Sequence, residues 1–259
     1  MQDDQLKENK DTPSVSAFPK RVGLRRGIYL LPNLITTGAL FAGFYSIISA
    51  MTGHLEYAAI AIVIAGFLDS LDGRIARLTH TQSEFGVQYD SLSDLVAFGV
   101  APALLMFSWV LSDLGKAGWL VAFLYMACAA LRLARFNTAP ESKIFFGLPS
   151  PGSAGILATL VWTVLDNTSG KIGVEIGVPV ACVTAVLALL MVSNIRYYSP
   201  KHMDGAGRVP FVYMFVIILL FVVVAYYPPG MLLLIGLVYA VSGPIQALLR
   251  NTSAKQGGV

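Results

Sequence analysis

Eight apolar runs, each approaching the thickness of a lipid bilayer, dictate what this chain can become. A hydrocarbon core of about 30 Å needs roughly 20 apolar residues in a helix rising about 1.5 Å per residue. Such runs fall near 32–51, 57–78, 84–111, 117–137, 152–166, 174–195, 210–227 and 230–249. In lipid every backbone polar group must be satisfied within the protein, so the expected fold is all-α: a polytopic bundle of about eight transmembrane helices. Composition agrees, since 56% of the 259 residues are hydrophobic and 13% charged, whereas soluble domains carry about 25% charged residues. That balance excludes a disordered chain, a disulfide scaffold and an ordinary soluble enzyme. Cys128 and Cys182 lie inside apolar runs, which favours buried thiols over a bridge.

Residues 1–26 are polar, mixed in charge and closed by Lys20, Arg21, Arg25 and Arg26. They read as a disordered cytoplasmic tail ending in a basic segment on an anionic membrane surface. Residues 27–250 form the transmembrane domain and 251–259 a second cytoplasmic tail. Acidic residues near the start and the lack of a cleavage site argue against a removed signal peptide. With the amino terminus inside, sixteen of the eighteen Lys and Arg residues fall on the cytoplasmic side, leaving Lys116 and Lys171 opposite. The positive-inside rule then places both termini in the cytoplasm, in a multi-pass inner-membrane protein. The last two runs are divided only by Tyr226-Tyr227-Pro228-Pro229-Gly230, which reads as a tight turn.

Four carboxylates sit where lipid-spanning helices should have none: Asp69 and Asp72, then Asp90 and Asp94. A charge at the bilayer centre costs several kcal/mol, about 3 on insertion scales, so four need protons or cations to compensate them. Asp69 and Asp72 (i, i+3) share one helical face, and so do Asp90 and Asp94 (i, i+4). Thr81-Gln82-Ser83-Glu84 fits a capping box, putting the turn near His80 and the four carboxylates at one depth on antiparallel helices. Gly73 and Ala76 follow on the face of Asp69, and Gly86 precedes Asp90 on its stripe. Missing side chains there open a trench beside the acids, closed at the membrane surface by Arg74 and Arg77. Hard oxygen ligands suit Mg²⁺, Mn²⁺ or Ca²⁺ rather than zinc. Two divalent ions would cancel four carboxylates, and metal pairs serve phosphoryl transfer.

Other accounts of the same residues exist. One intramembrane Asp can be a structural hydrogen bond, and small residues in membrane helices often mark close packing. A cation- or proton-coupled transporter also uses buried carboxylates. Such proteins usually show broken helices and related halves, whereas here no internal repeat is visible and the Asp-bearing helices read as continuous.

The string Asp69-x2-Asp72-Gly73-x2-Ala76-Arg77-x8-Gly86-x3-Asp90-x3-Asp94 resembles, at every fixed position, the signature of the CDP-alcohol phosphotransferase family. The resemblance implies a six-helix catalytic core that moves a phosphatidyl-type group from a CDP-linked donor to an alcohol and releases CMP. It implies that Asp69, Asp72 and Asp90 hold divalent metals, Mg²⁺ or Mn²⁺, two ions per site. Asp94 would contribute and act as general base. Gly73, Ala76 and Gly86 would leave room for the nucleotide, Arg77 would face phosphate, and Asn33 after Pro32 would lie near the nucleotide. Pro32 alone could be a first-turn helix proline.

Arg132-Leu-Ala-Arg135-Phe136-Asn137, followed by Phe146-Gly147-Leu148-Pro149-Ser150-Pro151, resembles the integral-membrane bacterial branch that takes CDP-diacylglycerol and L-serine. On that resemblance Arg132, Arg135, Asn137 and Ser150 would bind the acceptor. The two arginines could equally be positive-inside anchors with snorkelled side chains. Glycerol phosphate, inositol phosphate and choline are the rival acceptors. The family likeness also allows a homodimer.

Overall fold

The structure, a computed structural model, describes residues 25–79, 83–138, 146–168, 176–195, 197 and 211–256. Helix α1 (Arg25–Met51) and helix α2 (Leu55–Leu78) form an antiparallel hairpin. Their connection passes through Gly53, whose φ of 81° is a conformation that glycine adopts without a Cβ clash. Ala39, Ala42 and Ala50 on α1, with Ala58, Ala59, Ile62 and Ala65 on α2, are buried. Such small side chains let the two backbones approach. The Ser46 hydroxyl donates to the Ala58 carbonyl at 2.8 Å. Helix α1 starts before the apolar run does, so Pro32 lies inside it and not in its first turn. Hydropathy marks the lipid-immersed stretch, while helical hydrogen bonding continues through Arg25 and Arg26, both good helix formers.

Helix α3 (Glu84–Asp94) begins at Ser83, whose side chain accepts the Gly86 N–H at 3.0 Å. The cap expected at Thr81 therefore lies two residues further on. Glu84 becomes the first helical residue, where its charge meets the helix dipole but cannot close a reciprocal box. A π-helical segment (Leu95–Val100) follows Asp94 directly and continues into α4 (Ala101–Trp109). The expectation of an unbroken helix thus holds for its course but not its winding. Pro102 has no N–H to give the Phe98 carbonyl, and its ring crowds that carbonyl. The chain answers by widening: the Ala101 N–H bonds Val96 O, and the Tyr125 hydroxyl supplies Phe98 O at 3.4 Å.

After a 3₁₀ turn (Leu111–Leu114), α5 (Lys116–Thr138), α6 (Ser150–Thr168) and α7 (Gly177–Val192) complete the core. Tyr125, Leu148, Leu157 and Met191 are fully buried there. Gly147, at φ 80°, and Leu148 strap the segment before α6 to the end of α7. Their N–H groups donate to Ile195 O at 2.8 Å and Leu190 O at 3.0 Å.

Helix α8 (Phe211–Tyr226) and helix α9 (Pro228–Gln256) close the described chain. The expected turn shrinks to Tyr227, because Pro228 and Pro229 open α9. In a first turn their missing N–H groups have no intrahelical acceptor anyway. Pro244, inside α9, frees the Ala240 carbonyl, and the Tyr197 hydroxyl donates to it at 3.0 Å. This repeats the solution at Pro102. Burial and the neighbouring Tyr239 push the Tyr197 phenol up to about 12, so it stays a neutral donor.

Among the described residues, four helices are long and apolar enough to cross a bilayer: Leu31–Met51, Glu84–Trp109, Lys116–Thr138 and Pro228–Ala247. Gly177–Val192 is apolar but shorter. Phe215, Ile218, Leu219, Leu220, Phe221 and Val222 of α8 are all exposed, as lipid-facing residues should be. The molecule is a multi-pass, all-α membrane bundle. Of the proposed tails, Arg25, Arg26 and the end of α9 up to Gln256 are helical, and the remainder lies outside the described residues.

Candidate active site

Register across the α2–α3 turn sets the acidic cluster. Asp72 precedes the α2 cap Thr79 by seven positions, and Asp90 follows the α3 cap Ser83 by seven. On antiparallel helices those two residues come to one level, with Asp69 and Asp94 about one turn deeper. One carboxylate oxygen from each of Asp69, Asp72 and Asp90 lies within 4.8 Å of the others. Two oxygens on one Mg²⁺, Mn²⁺ or Ca²⁺ stand at most about 4–5 Å apart, twice the metal–oxygen bond. The three oxygens therefore fit a hard divalent ion in number, chemistry and spacing. Asp94 lies outside that trio, with its carboxyl beside that of Asp69.

The trench opens beside the cluster. A cavity of about 360 Å³ is lined by Asn33, Gly73, Ala76, Arg77 and Gly86 together with Asp72 and Asp90. Pro32, Thr36, Ser83, Val87 and Phe136 complete the wall. A methyl group added at Gly73 would meet nothing within 4 Å, so the space there is real and not filled by a packed neighbour. At Gly86 the same methyl would press on Ser83 Oγ at 3.1 Å and Asn33 Oδ1 at 3.4 Å. Arg77 is held over the cavity by its Nε, which donates to Gly73 O at 2.9 Å. Arg74 is exposed and lines no part of the cavity.

The four residues of the Arg132–Pro151 stretch separate into different environments. Arg132 lies near enough to Asp94 and Asp69 for their charges to interact. Its Nη1 donates to the buried Ser150 hydroxyl at 2.6 Å. Its Nε is buried with no hydrogen-bond partner among the described residues. Arg135 turns elsewhere, donating to Phe146 O at 2.8 Å, Val192 O at 3.2 Å and Asn194 Oδ1 at 3.4 Å. Asn137 pairs with Ser91 beside Asp90, the Asn137 amide donating at 3.0 Å and the Ser91 hydroxyl donating back at 3.2 Å. Only Arg132 and Ser150 of the four are thus joined to each other, on the Asp94 side of the acids.

The structure adds residues that the motif did not point to. The Thr36 hydroxyl donates to Asp72 Oδ2 at 2.8 Å, and the Ser93 hydroxyl donates to Thr36 O at 3.2 Å. Thr37 and Tyr89 share a hydrogen bond of 2.9 Å, and Tyr89 stacks on Phe85 at 5.9 Å. Asn33, Thr36 and Thr37 recur at helical spacing in an otherwise apolar run. The polar-stripe argument applied to the aspartates would have found them.

Comparison with known proteins agrees with this geometry. A family model described as CDP-alcohol phosphatidyltransferase matches residues 29–188. A Helicobacter pylori protein named CDP-diacylglycerol–serine O-phosphatidyltransferase is 39% identical over 177 residues, covering 67% of this chain and 74% of its own. Proteins of the same name from Methanocaldococcus jannaschii and Bacillus subtilis are 33% and 36% identical. They align with 82% and 66% of this chain, and with 94% and 92% of their own lengths. The matched span takes in every helix that lines the cavity, so the chain belongs to the CDP-alcohol phosphatidyltransferase family.

Proposed function

We propose that this protein transfers the phosphatidyl group of CDP-diacylglycerol to the hydroxyl of L-serine, yielding phosphatidylserine and CMP for phospholipid biosynthesis. The observation that carries this reading is the convergence of Asp69, Asp72 and Asp90, the last two lining a cavity walled also by Gly73, Ala76, Arg77 and Gly86. The relatives' names supply serine as the acceptor. Arg132, a half-buried cation beside Asp94 with a buried, unpartnered Nε, suits the serine carboxylate.

In this mechanism Asp69, Asp72 and Asp90 hold Mg²⁺ or Mn²⁺, with Asp94 completing a two-ion site. Bound ions supply the positive charge that balances the donor diphosphate. Gly73 and Ala76 leave room for the cytidine, Gly86 and Asn33 border it, and Arg77 faces phosphate. The serine hydroxyl oxygen bonds to the diacylglycerol-bearing phosphorus while the bond from that phosphorus to the CMP phosphate oxygen breaks. Asp94 accepts the hydroxyl proton. Thr36 and Ser83 are the hydroxyl side chains among the described residues lining the cavity. Both are engaged, one at Asp72 and the other at the Gly86 N–H, which supports direct displacement over a covalent intermediate.

Ser150 orients Arg132, while Arg135 and Asn137 act one step removed, holding the loop before α6 and the Asp90 helix. The charge distribution supports an inner-membrane protein with both termini and the cavity on the cytoplasmic side, where L-serine is available. The donor then enters laterally, acyl chains in lipid and headgroup in the trench, and a homodimer fits the family. Purified protein with Mg²⁺ or Mn²⁺, CDP-diacylglycerol and a panel of alcohols tests the proposal. CMP and a lipid product should appear together with L-serine. Product with glycerol phosphate, inositol phosphate or choline instead would move the protein to a sister activity, and ion flux in sealed vesicles without CMP release would favour transport.

A further inference from the structure

Thr36 occupies a position that metal-site motifs do not name. It is 5% exposed, one helical turn after Pro32 on α1. Its hydroxyl lies 2.8 Å from Asp72 Oδ2 and 3.0 Å from the Pro32 carbonyl. Its own carbonyl accepts the Ser93 hydroxyl at 3.2 Å. One residue of α1 therefore touches both the helix that carries Asp69 and Asp72 and the helix that carries Asp90 and Asp94. The latter contact falls at Ser93, which is buried and lies between the two aspartates. Gly43, about two turns further along α1, continues the same close approach. A methyl group there would come within 2.7 Å of Ala97 Cα.

These contacts have a direct chemical consequence. A carboxylate ligand has two oxygens and a rotatable χ2, and an unconstrained one swings between binding geometries. A donor fixed on one oxygen selects the rotamer and leaves the other oxygen directed at an ion. This is the outer-shell arrangement whose loss commonly weakens metal affinity by about 10–100-fold. We propose that Thr36 is a positioning residue of the metal centre: its hydroxyl sets the orientation of Asp72, and its carbonyl, through Ser93, sets the separation of the α2 and α3 carboxylates. The inference rests on Asp72 being a metal ligand.

Mn²⁺ binding to the purified full-length protein, without substrate, tests it directly by the electron paramagnetic resonance signal of free Mn²⁺. Thr36→Val keeps the shape and removes the donor, and should weaken Mn²⁺ binding by about tenfold or more. Thr36→Ser keeps the donor and should stay within about twofold of the unaltered protein, even if its melting temperature falls. Should Thr36→Val fail to fold, Thr36→Ala against Thr36→Ser gives the same comparison, since both lack the methyl and differ only in the hydroxyl. Ala should then bind about tenfold more weakly than Ser. Valine binding Mn²⁺ as tightly as threonine, or serine falling as far as valine or alanine, overturns the proposal and reduces Thr36 to helix packing. An unaltered protein that binds no Mn²⁺ would instead remove the metal reading of Asp72 itself.

Discussion

Arg132 Nη1 donates to the Ser150 hydroxyl at 2.6 Å, tying the end of α5 to the first residue of α6. Ser150 is fully buried and Arg132 half-buried, and the guanidinium lies near enough to Asp94 for their charges to interact. The contact gives the arginine one orientation where a snorkelling side chain would have many. Ser150→Ala removes the acceptor and leaves a partly buried charged donor unsatisfied, a loss of about 1–3 kcal/mol. The KM for L-serine should rise about tenfold, with the KM for CDP-diacylglycerol unchanged. Steady-state kinetics with each substrate varied would expose a different pattern.

Asp94 sits beside the carboxylate trio of Asp69, Asp72 and Asp90 and not within it. Asp94→Asn should lower kcat by about 100- to 10,000-fold, the usual range for a lost general base. Binding of CDP-diacylglycerol should survive, because the cavity walls do not change. Turnover and equilibrium binding are measured separately, and undiminished kcat would remove Asp94 from the proton transfer.

Gly73 borders open space. Gly73→Leu should therefore fold with little change in melting temperature, since its Cβ meets no protein atom within 4 Å. The added side chain fills the trench, and CMP affinity should fall by at least about tenfold. Normal CMP binding by the folded variant, read by calorimetry, would place the nucleotide elsewhere.

Arg135 separates structure from chemistry. Its three hydrogen bonds hold the segment before α6 to the end of α7. Arg135→Ala should lower stability by about 2 kcal/mol or more, because the partners include main-chain carbonyls in a crowded strap. The residual folded fraction should keep its KM for L-serine within about threefold, in contrast to Ser150→Ala. Thermal melts in detergent, paired with kinetics normalised to folded protein, make the comparison.

The apolar runs of this chain specify a helical membrane bundle, because lipid offers the backbone no other way to satisfy its polar groups. The motif from Asp69 to Asp94 specifies a shared acidic face, because helical spacing is a local property. Even the reversal from α2 to α3 is legible, since a short turn sends the chain back, although it is α1 that packs against both helices. Details that depend on a single hydrogen bond moved. The cap lies at Ser83, Pro228 and Pro229 belong to α9, and the helix widens just past Asp94 because Pro102 cannot serve Phe98. Contacts between residues far apart in the chain were decided only by tertiary packing. Thr36 meets Asp72, Asn137 meets Ser91, and Arg135 turns to Phe146 while Arg132 faces Asp94. The two arginines are three positions apart on one helix and look alike in sequence. Their different partners come from α6 and α7, whose positions follow from packing and not from any local spacing.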